Sequence, residues 1–188
     1  MRTETPVIAA YWLLLLPLAG VAQEAAVGEI EPDVPYVPTP YRVVEAMLDV
    51  ADVGPDDVVY DLGSGDGRIV IAAARDRGAK GIGVEIDPQY IQMARLNARA
   101  DGVNDKVTFV QDDLFEMDFS DATVVALYLS EPLNIRLRPM LFEQLRPGVR
   151  IVSHEFGMGD WEPEQTLNIG GHIVHYWVVP DREPGPGD

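Results

Sequence analysis

Val58-Val59-Tyr60-Asp61-Leu62-Gly63-Ser64-Gly65-Asp66-Gly67-Arg68 carries a short apolar run into three alternating glycines and then into an alanine-rich segment ending at Arg77. The apolar run from Val58 to Tyr60 has the length and branching of a strand, and residues 68–77 have the spacing of a helix. The stretch therefore reads as strand, tight turn, helix. Alternating glycines strip every Cβ from one side of such a turn and let a ligand touch the backbone.

The rest of the chain repeats the unit. Upstream, Val43, Val44, Met47 and Leu48 share one helical face, with Thr39 or Pro40 as the start signal. Downstream, strands are expected over Gly81–Glu85, Val107–Val110, Ala122–Leu129 and Val149–Ser153. Helices are expected over Pro88–Ala100, opened by Asp87 as cap with Pro88 at the first position, and over Leu133–Leu145. Thr166–Ile169 and His172–Val179, joined at Gly170-Gly171, read as a hairpin. Strands alternating with helices build a parallel sheet covered on both faces, to which the hairpin adds antiparallel strands at an edge. The fold class is α/β, and ligands of such sheets lie beyond the C-terminal strand ends where the strand order reverses.

The residues at those ends are acidic. A dinucleotide-binding turn is spaced GxGxxG, whereas this one is GxGxG with Asp61 and Asp66 on its flanks. Two carboxylates repel a pyrophosphate. They suit a ligand carrying an ammonium and a sulfonium, a description that S-adenosylmethionine meets. Glu85, closing the second strand, is placed to accept hydrogen bonds from ribose hydroxyls. After the third strand, Gln111-Asp112-Asp113-Leu114 offers a carboxylate to an adenine amino group. At the mouth of the fourth, Tyr128 and Ser130 are placed to hold an acceptor, and Tyr36 and Thr39 on the lead-in to cover it.

Composition narrows the partners. The 188 residues include 31 Asp/Glu and 14 Lys/Arg, a net charge of −17. Hydrophobic residues make up 47%, enough for a folded core. With a sequence pI near 4.3 there is no basic stripe for nucleic acid, whose binding needs clustered Lys/Arg, so a basic or neutral partner is expected. The absence of cysteine excludes disulfides, thiolate metal sites and a Cys nucleophile. His154, His172 and His175 lack a paired ligand spacing and read as strand residues, so no metal site is expected.

Val7 to Ala22 is uncharged and ends Gly20-Val21-Ala22, the small-residue pattern of a cleavage site. Residues 1–22 thus read as an export signal or, in second place, an uncleaved anchor. They imply an exported, periplasmic or membrane-held protein, with the cytoplasm left open because the donor is made there. Residues 23–40 are a proline-punctuated lead-in, 41–180 the domain, and 181–188 a Pro/Gly-rich tail.

The motifs VVYDLGSGDGR, GVEIDP and VTFVQDDL resemble, in order and spacing, those of class I S-adenosylmethionine-dependent methyltransferases with their Rossmann-like fold. PYVPTP, DLGSGDGRIVIAAA, VVALYLSEPLN and RPGVRIVSHEF resemble more narrowly the small protein-lysine methyltransferases that modify ATP synthase subunit c and the adenine nucleotide translocase, and distantly Dot1. The resemblance spans Pro35 to about Pro180. It implies that Asp61, Gly63, Ser64, Gly65, Asp66 and Gly67 hold the methionine part, Glu85 the ribose and Asp113 the adenine, with Asp112 beside it. It also implies N-methylation of a protein lysine. No motif after the fourth strand identifies the acceptor, so a small-molecule methyltransferase or a non-catalytic binder of adenosyl ligands stand as alternatives.

Overall fold

The computed structural model describes residues 35–181. The signal or anchor reading of residues 1–22, most of the lead-in and nearly all of the tail lie outside the described residues.

Among the described residues, four helices and seven strands follow in the order α1 (Tyr41–Val50), β1 (Val58–Leu62), α2 (Arg68–Arg77), β2 (Lys80–Glu85), α3 (Pro88–Ala100), β3 (Val107–Gln111), β4 (Val124–Leu127), α4 (Glu131–Gln144), β5 (Arg150–His154), β6 (Gln165–Ile169) and β7 (His172–Val178). All seven strands form one sheet ordered β3-β2-β1-β4-β5-β7-β6. Strands β1 to β5 pair in parallel. Strand β7 runs antiparallel to both β5 and β6, which places the hairpin at the edge. The chain winds outward from β1 through β2 to β3 and then returns to lay β4 on the other side of β1. The order therefore reverses between β1 and β4.

Local chemistry explains the element ends. Gly67 (φ +81) and Gly78 (φ +78) bracket α2, and the Asp87 side chain accepts from the Gln89 amide at 2.7 Å to cap α3. Helix α4 begins at Glu131, earlier than expected, because Ser130 caps it and Pro132 fits the first turn. Strand β4 is shorter than Ala122–Leu129. The Thr123 amide donates to the Val58 carbonyl outside the regular ladder, and the chain leaves the sheet at Tyr128. Strand β1 extends through Asp61, so that acid belongs to the strand and not to the loop after it.

Apolar clusters fill both faces. On one face Val43, Val44, Met47 and Leu48 of α1 pack with the alanines of α2 and with Ile91 and Ala94 of α3. On the other, Leu137 and Leu141 of α4 pack with Leu62, Val125, Ile151 and the fully buried Trp177. Gly67 shows how tight this is: a Cβ there would sit 2.6 Å from the Phe109 ring. Only glycine lets β3 and α3 close against the turn.

Candidate functional site

A cleft opens beyond the C-terminal ends of β1, β2, β3 and β4, at the reversal, and encloses about 950 Å³ with the solvent at its mouth. The lead-in closes one side.

Gly63 (φ +87), Gly65 (φ +51) and Gly67 (φ +81) fold the turn. The Gly63 and Ser64 amides both donate to the Val84 carbonyl at 2.9 Å, which ties the turn to β2. A Cβ on Gly65 would lie 2.4 Å from the Tyr36 ring, so the lead-in seats directly on the glycine. Glu85 braces the same turn: its Oε2 accepts from the Gly65 amide at 2.8 Å, and its Oε1 accepts from the Ile86 and Asp87 amides at 2.9 Å each. Glu85, expected to meet a ribose, thus has a structural role that spacing did not reveal.

The charges are distributed differently from the sequence expectation. Asp66 does not present a free carboxylate. Arg68 donates to it from Nε (2.9 Å) and Nη2 (2.6 Å). Burial opposes ionisation of Asp66, but Arg68 outweighs it and holds the carboxyl below its ordinary range. The same guanidinium donates to the Thr39 carbonyl at 2.8 Å and to the Tyr36 hydroxyl at 3.3 Å. Arg68 thereby pins the lead-in to the turn, a role that sequence reading missed. Burial, followed by the nearby Asp66 charge, pushes the Tyr36 phenol up to about 12.

Asp61 is the opposite case. It is 2% exposed, lines the cleft, and its carboxylate takes no hydrogen bond from any described residue. Burial, then Glu85, then Asp66 push its pKa well above the ordinary value. A buried carboxylate without a partner is costly unless a cation faces it. The Ser64 hydroxyl is likewise buried and unpartnered. Asp61 and Asp66 both line the cleft as expected, but Asp66 is neutralised by Arg68 whereas Asp61 takes no such partner.

Asp112 and Asp113 line the far end of the cleft. Asp112 Oδ1 accepts from the Asp113 amide and Asp113 Oδ1 from the Phe115 amide, both at 2.9 Å, which leaves one oxygen of each for a ligand. Tyr90 of α3, which the sequence did not single out, also lines the cleft and meets the Tyr36 ring at 4.3 Å between centroids.

Tyr36, Thr39 and Tyr128, expected from the sequence to meet an acceptor, all line the cleft. The Tyr128 ring lies 4.0 Å from the imidazole of His154, and burial raises its phenol. Thr39 is buried and its Oγ1 lies 3.2 Å from His154 Nδ1. Ser130 stands apart. Its hydroxyl accepts from the Leu133 amide at 3.4 Å as the cap of α4, and it is not among the lining residues. The structure thus gives Ser130 a capping role beside the one expected of it.

All three histidines lie in strands as expected, His154 in β5 and His172 and His175 in β7. His154 of β5 and His172 of β7 converge with Glu155, a tertiary arrangement that local spacing cannot show. Burial lowers His154 to about 4, which keeps it neutral at physiological pH.

A glycine turn that exposes its backbone, an orphan carboxylate awaiting a cation, and acids at the ends of β2 and β3 fit S-adenosylmethionine feature by feature. Fold and site together define a class I S-adenosylmethionine-dependent methyltransferase. Residues 61–165 match the family model of the ANTKMT methyltransferase domain. A protein-lysine N-methyltransferase of Saccharolobus islandicus is 43% identical, covering 81% of this chain and 98% of that protein. The adenine nucleotide translocase lysine N-methyltransferase of Mus musculus is 33% identical, covering 81% of this chain and 66% of that one. A crystal structure described as an RNA methyltransferase from Salinibacter ruber in complex with S-adenosyl-L-homocysteine is 56% identical, with a TM-score of 0.77 over 81% of this chain and 99% of that one. The chain belongs to the ANTKMT methyltransferase family.

Proposed function

We propose that this enzyme methylates the ε-amine of a lysine on a protein partner. When bound, S-adenosylmethionine supplies a methyl carbon activated by its sulfonium. The observation that carries the donor side is the orphan Asp61 carboxylate beneath the glycine turn. Asp61 attracts the cationic methionine part, the backbone of Gly63, Ser64, Gly65 and Gly67 lies against it, and Asp66 acts through Arg68. Glu85 receives the ribose, and Asp112 and Asp113 the adenine. Tyr36 and Thr39 roof the acceptor channel and Tyr128 forms its wall, positioning a neutral amine in line and excluding water.

Two facts support lysine. The Saccharolobus relative, matched over 98% of its length, is a protein-lysine N-methyltransferase. The net charge of −17 attracts a lysine-bearing surface and repels a polyanion. The name of the Salinibacter protein favours RNA as a second reading. The charge weighs against it, because phosphate contacts need basic clusters.

Labelled donor offered in parallel to basic protein acceptors, RNA and small amines separates these readings. Labelled lysine is expected, with kcat/KM falling as salt rises because ions screen the attraction over a Debye length of about 8 Å at physiological strength. Folding is followed alongside by circular dichroism. Label on RNA or on a neutral metabolite, with none on lysine at any salt concentration, refutes the lysine reading. Binding without transfer to any acceptor marks a non-catalytic binder.

Among the described residues no helix is long and apolar enough to cross a membrane. The reading of residues 1–22 as an export signal or anchor therefore rests on sequence, and sequencing the N-terminus of the native protein tests it.

A further inference from the structure

Behind the wall of the acceptor channel lies a side-chain cluster that methyl transfer does not use. His154 ends β5 and is fully buried, Glu155 follows it, and His172 opens β7. His154 Nε2 lies 3.2 Å from His172 Nδ1 and 3.4 Å from Glu155 Oε1. Glu155 Oε1 lies 2.9 Å from His172 Nδ1. Three donor atoms thus close a triangle around a common centre. A tetrahedral ion bound at about 2.0–2.1 Å spaces its ligands about 3.3–3.4 Å apart, so two edges already match and the third needs only a small opening.

Two features prepare the triangle. His154 Nδ1 meets Thr39 Oγ1 at 3.2 Å. With that nitrogen donating to the hydroxyl, Nε2 turns a lone pair to the centre, the arrangement by which outer partners orient metal-bound imidazoles. Glu155 holds φ +66, one of two non-glycine residues among those described with positive φ. Its amide donates to the Ile173 carbonyl at 2.8 Å, which fixes this unfavourable conformation on the β5–β7 ladder. Strain of this kind persists where the surroundings impose it and is found at sites with a function. The side chains of His172 and Glu155 remain 32% and 30% exposed, leaving an open side for a water as fourth ligand.

We propose that His154, Glu155 and His172 form a binding site for a divalent transition-metal ion of the zinc type. Two imidazoles and one carboxylate suit zinc or cobalt over magnesium or calcium, which take oxygen ligands. The ion clamps β5 to β7 behind Tyr128, and through Thr39 it steadies the acceptor end of the cleft. Its role is structural, and the proposal holds whatever the acceptor is.

The test uses the full chain stripped by a chelator. Calorimetry with Zn²⁺ is expected to show one site per chain with micromolar or tighter affinity and a raised Tm, and Co²⁺ to give the visible bands of a four-coordinate ion. Glu155→Gly removes a ligand while relieving the backbone, so it keeps the fold. This variant and His172→Ala should each lose about 100-fold or more in Zn²⁺ affinity, along with the Tm response. Their affinity for S-adenosylhomocysteine should stay within about twofold of wild type. Zn²⁺ affinity unchanged in both variants, or equal competition by Mg²⁺, would place the ion on the acidic surface and overturn the proposal. The absence of a stoichiometric site would overturn it too.

Discussion

Arg68→Lys keeps a positive charge at the head of α2 and removes the fork that joins the glycine turn to the lead-in. In the wild type the guanidinium makes two bonds to Asp66, one to the Thr39 carbonyl and one to the Tyr36 hydroxyl. An ammonium can keep one arm on Asp66 and little else. The charge-assisted bond to Thr39 is worth about 1.5–3 kcal/mol when isolated. The Arg68 side chain is 18% exposed, so water takes over part of the loss and about 1.5–2 kcal/mol remains. That loss falls on the seating of residues 35–40, because α1 onward is held by its own apolar face. If ligand binding needs the lead-in seated, the whole amount reaches the affinity, roughly 10–30-fold. Calorimetry with S-adenosylhomocysteine measures that affinity, and hydrogen exchange over residues 35–44 measures the seating. Affinity within twofold of wild type, alongside faster exchange, would show that the lead-in is no part of the cofactor site.

Two further outcomes follow from buried acids. Asp61→Asn should weaken S-adenosylmethionine at least about tenfold while the ligand-free protein melts no lower than wild type, since the change removes an unpaired buried charge. The folded-state pKa of Asp61 is raised, so its stabilising contribution is present at acid pH and lost as pH rises; the gap between the two melting curves should therefore close on acidification. A lower Tm for the variant at every pH would refute this account. For Asp57, burial raises the carboxyl, but Thr123, Gly54 and Arg150 together outweigh it and lower the pKa. Its stabilisation is then present above the ordinary carboxylate value and lost as pH falls through the lowered folded value. Asp57→Asn should cost about 2 kcal/mol at neutral pH and converge with wild type in acid, as denaturant melts across pH would show. A constant difference would count against it.

The alternation of apolar runs with helical faces was legible because each strand and helix carries its own period. Helices α2 and α3 begin and end where glycine, aspartate and proline said they would. The acids of the site were also legible, since strand ends in a parallel sheet point to one crevice. What spacing could not show was which acid is spoken for. Asp61 and Asp66 look equivalent in DLGSGDGR, yet one is orphaned inside a strand and the other is neutralised by the arginine two residues on. Ser130 caps α4 from the strand-to-helix corner where an acceptor contact is expected, and spacing does not separate the two roles. His154 and His172 face each other only because β7 lies antiparallel to β5, a pairing between segments whose own sequences say nothing of the partner.

Helix α1 packs on α2 but also on β5, β6 and β7, the last strands among the described residues. Arg150 of β5 donates to the Ala51 carbonyl, at 2.6 Å, and to that of Asp52. Thr39, just ahead of α1, meets His154 at the end of β5. A ribosome thus releases α1 and α2 together, but long before the β5–β7 surface that also buries α1 exists. Its apolar face must wait, solvated or held by other contacts, until residue 178 has emerged. Such distant pairing slows folding and leaves nascent chains open to aggregation. The glycine turn, β2 and β3 can form early, but the roof over them is among the last parts to close. A chain truncated before β7 would carry the glycine turn and leave β5 and α1 without a strand that both pack against.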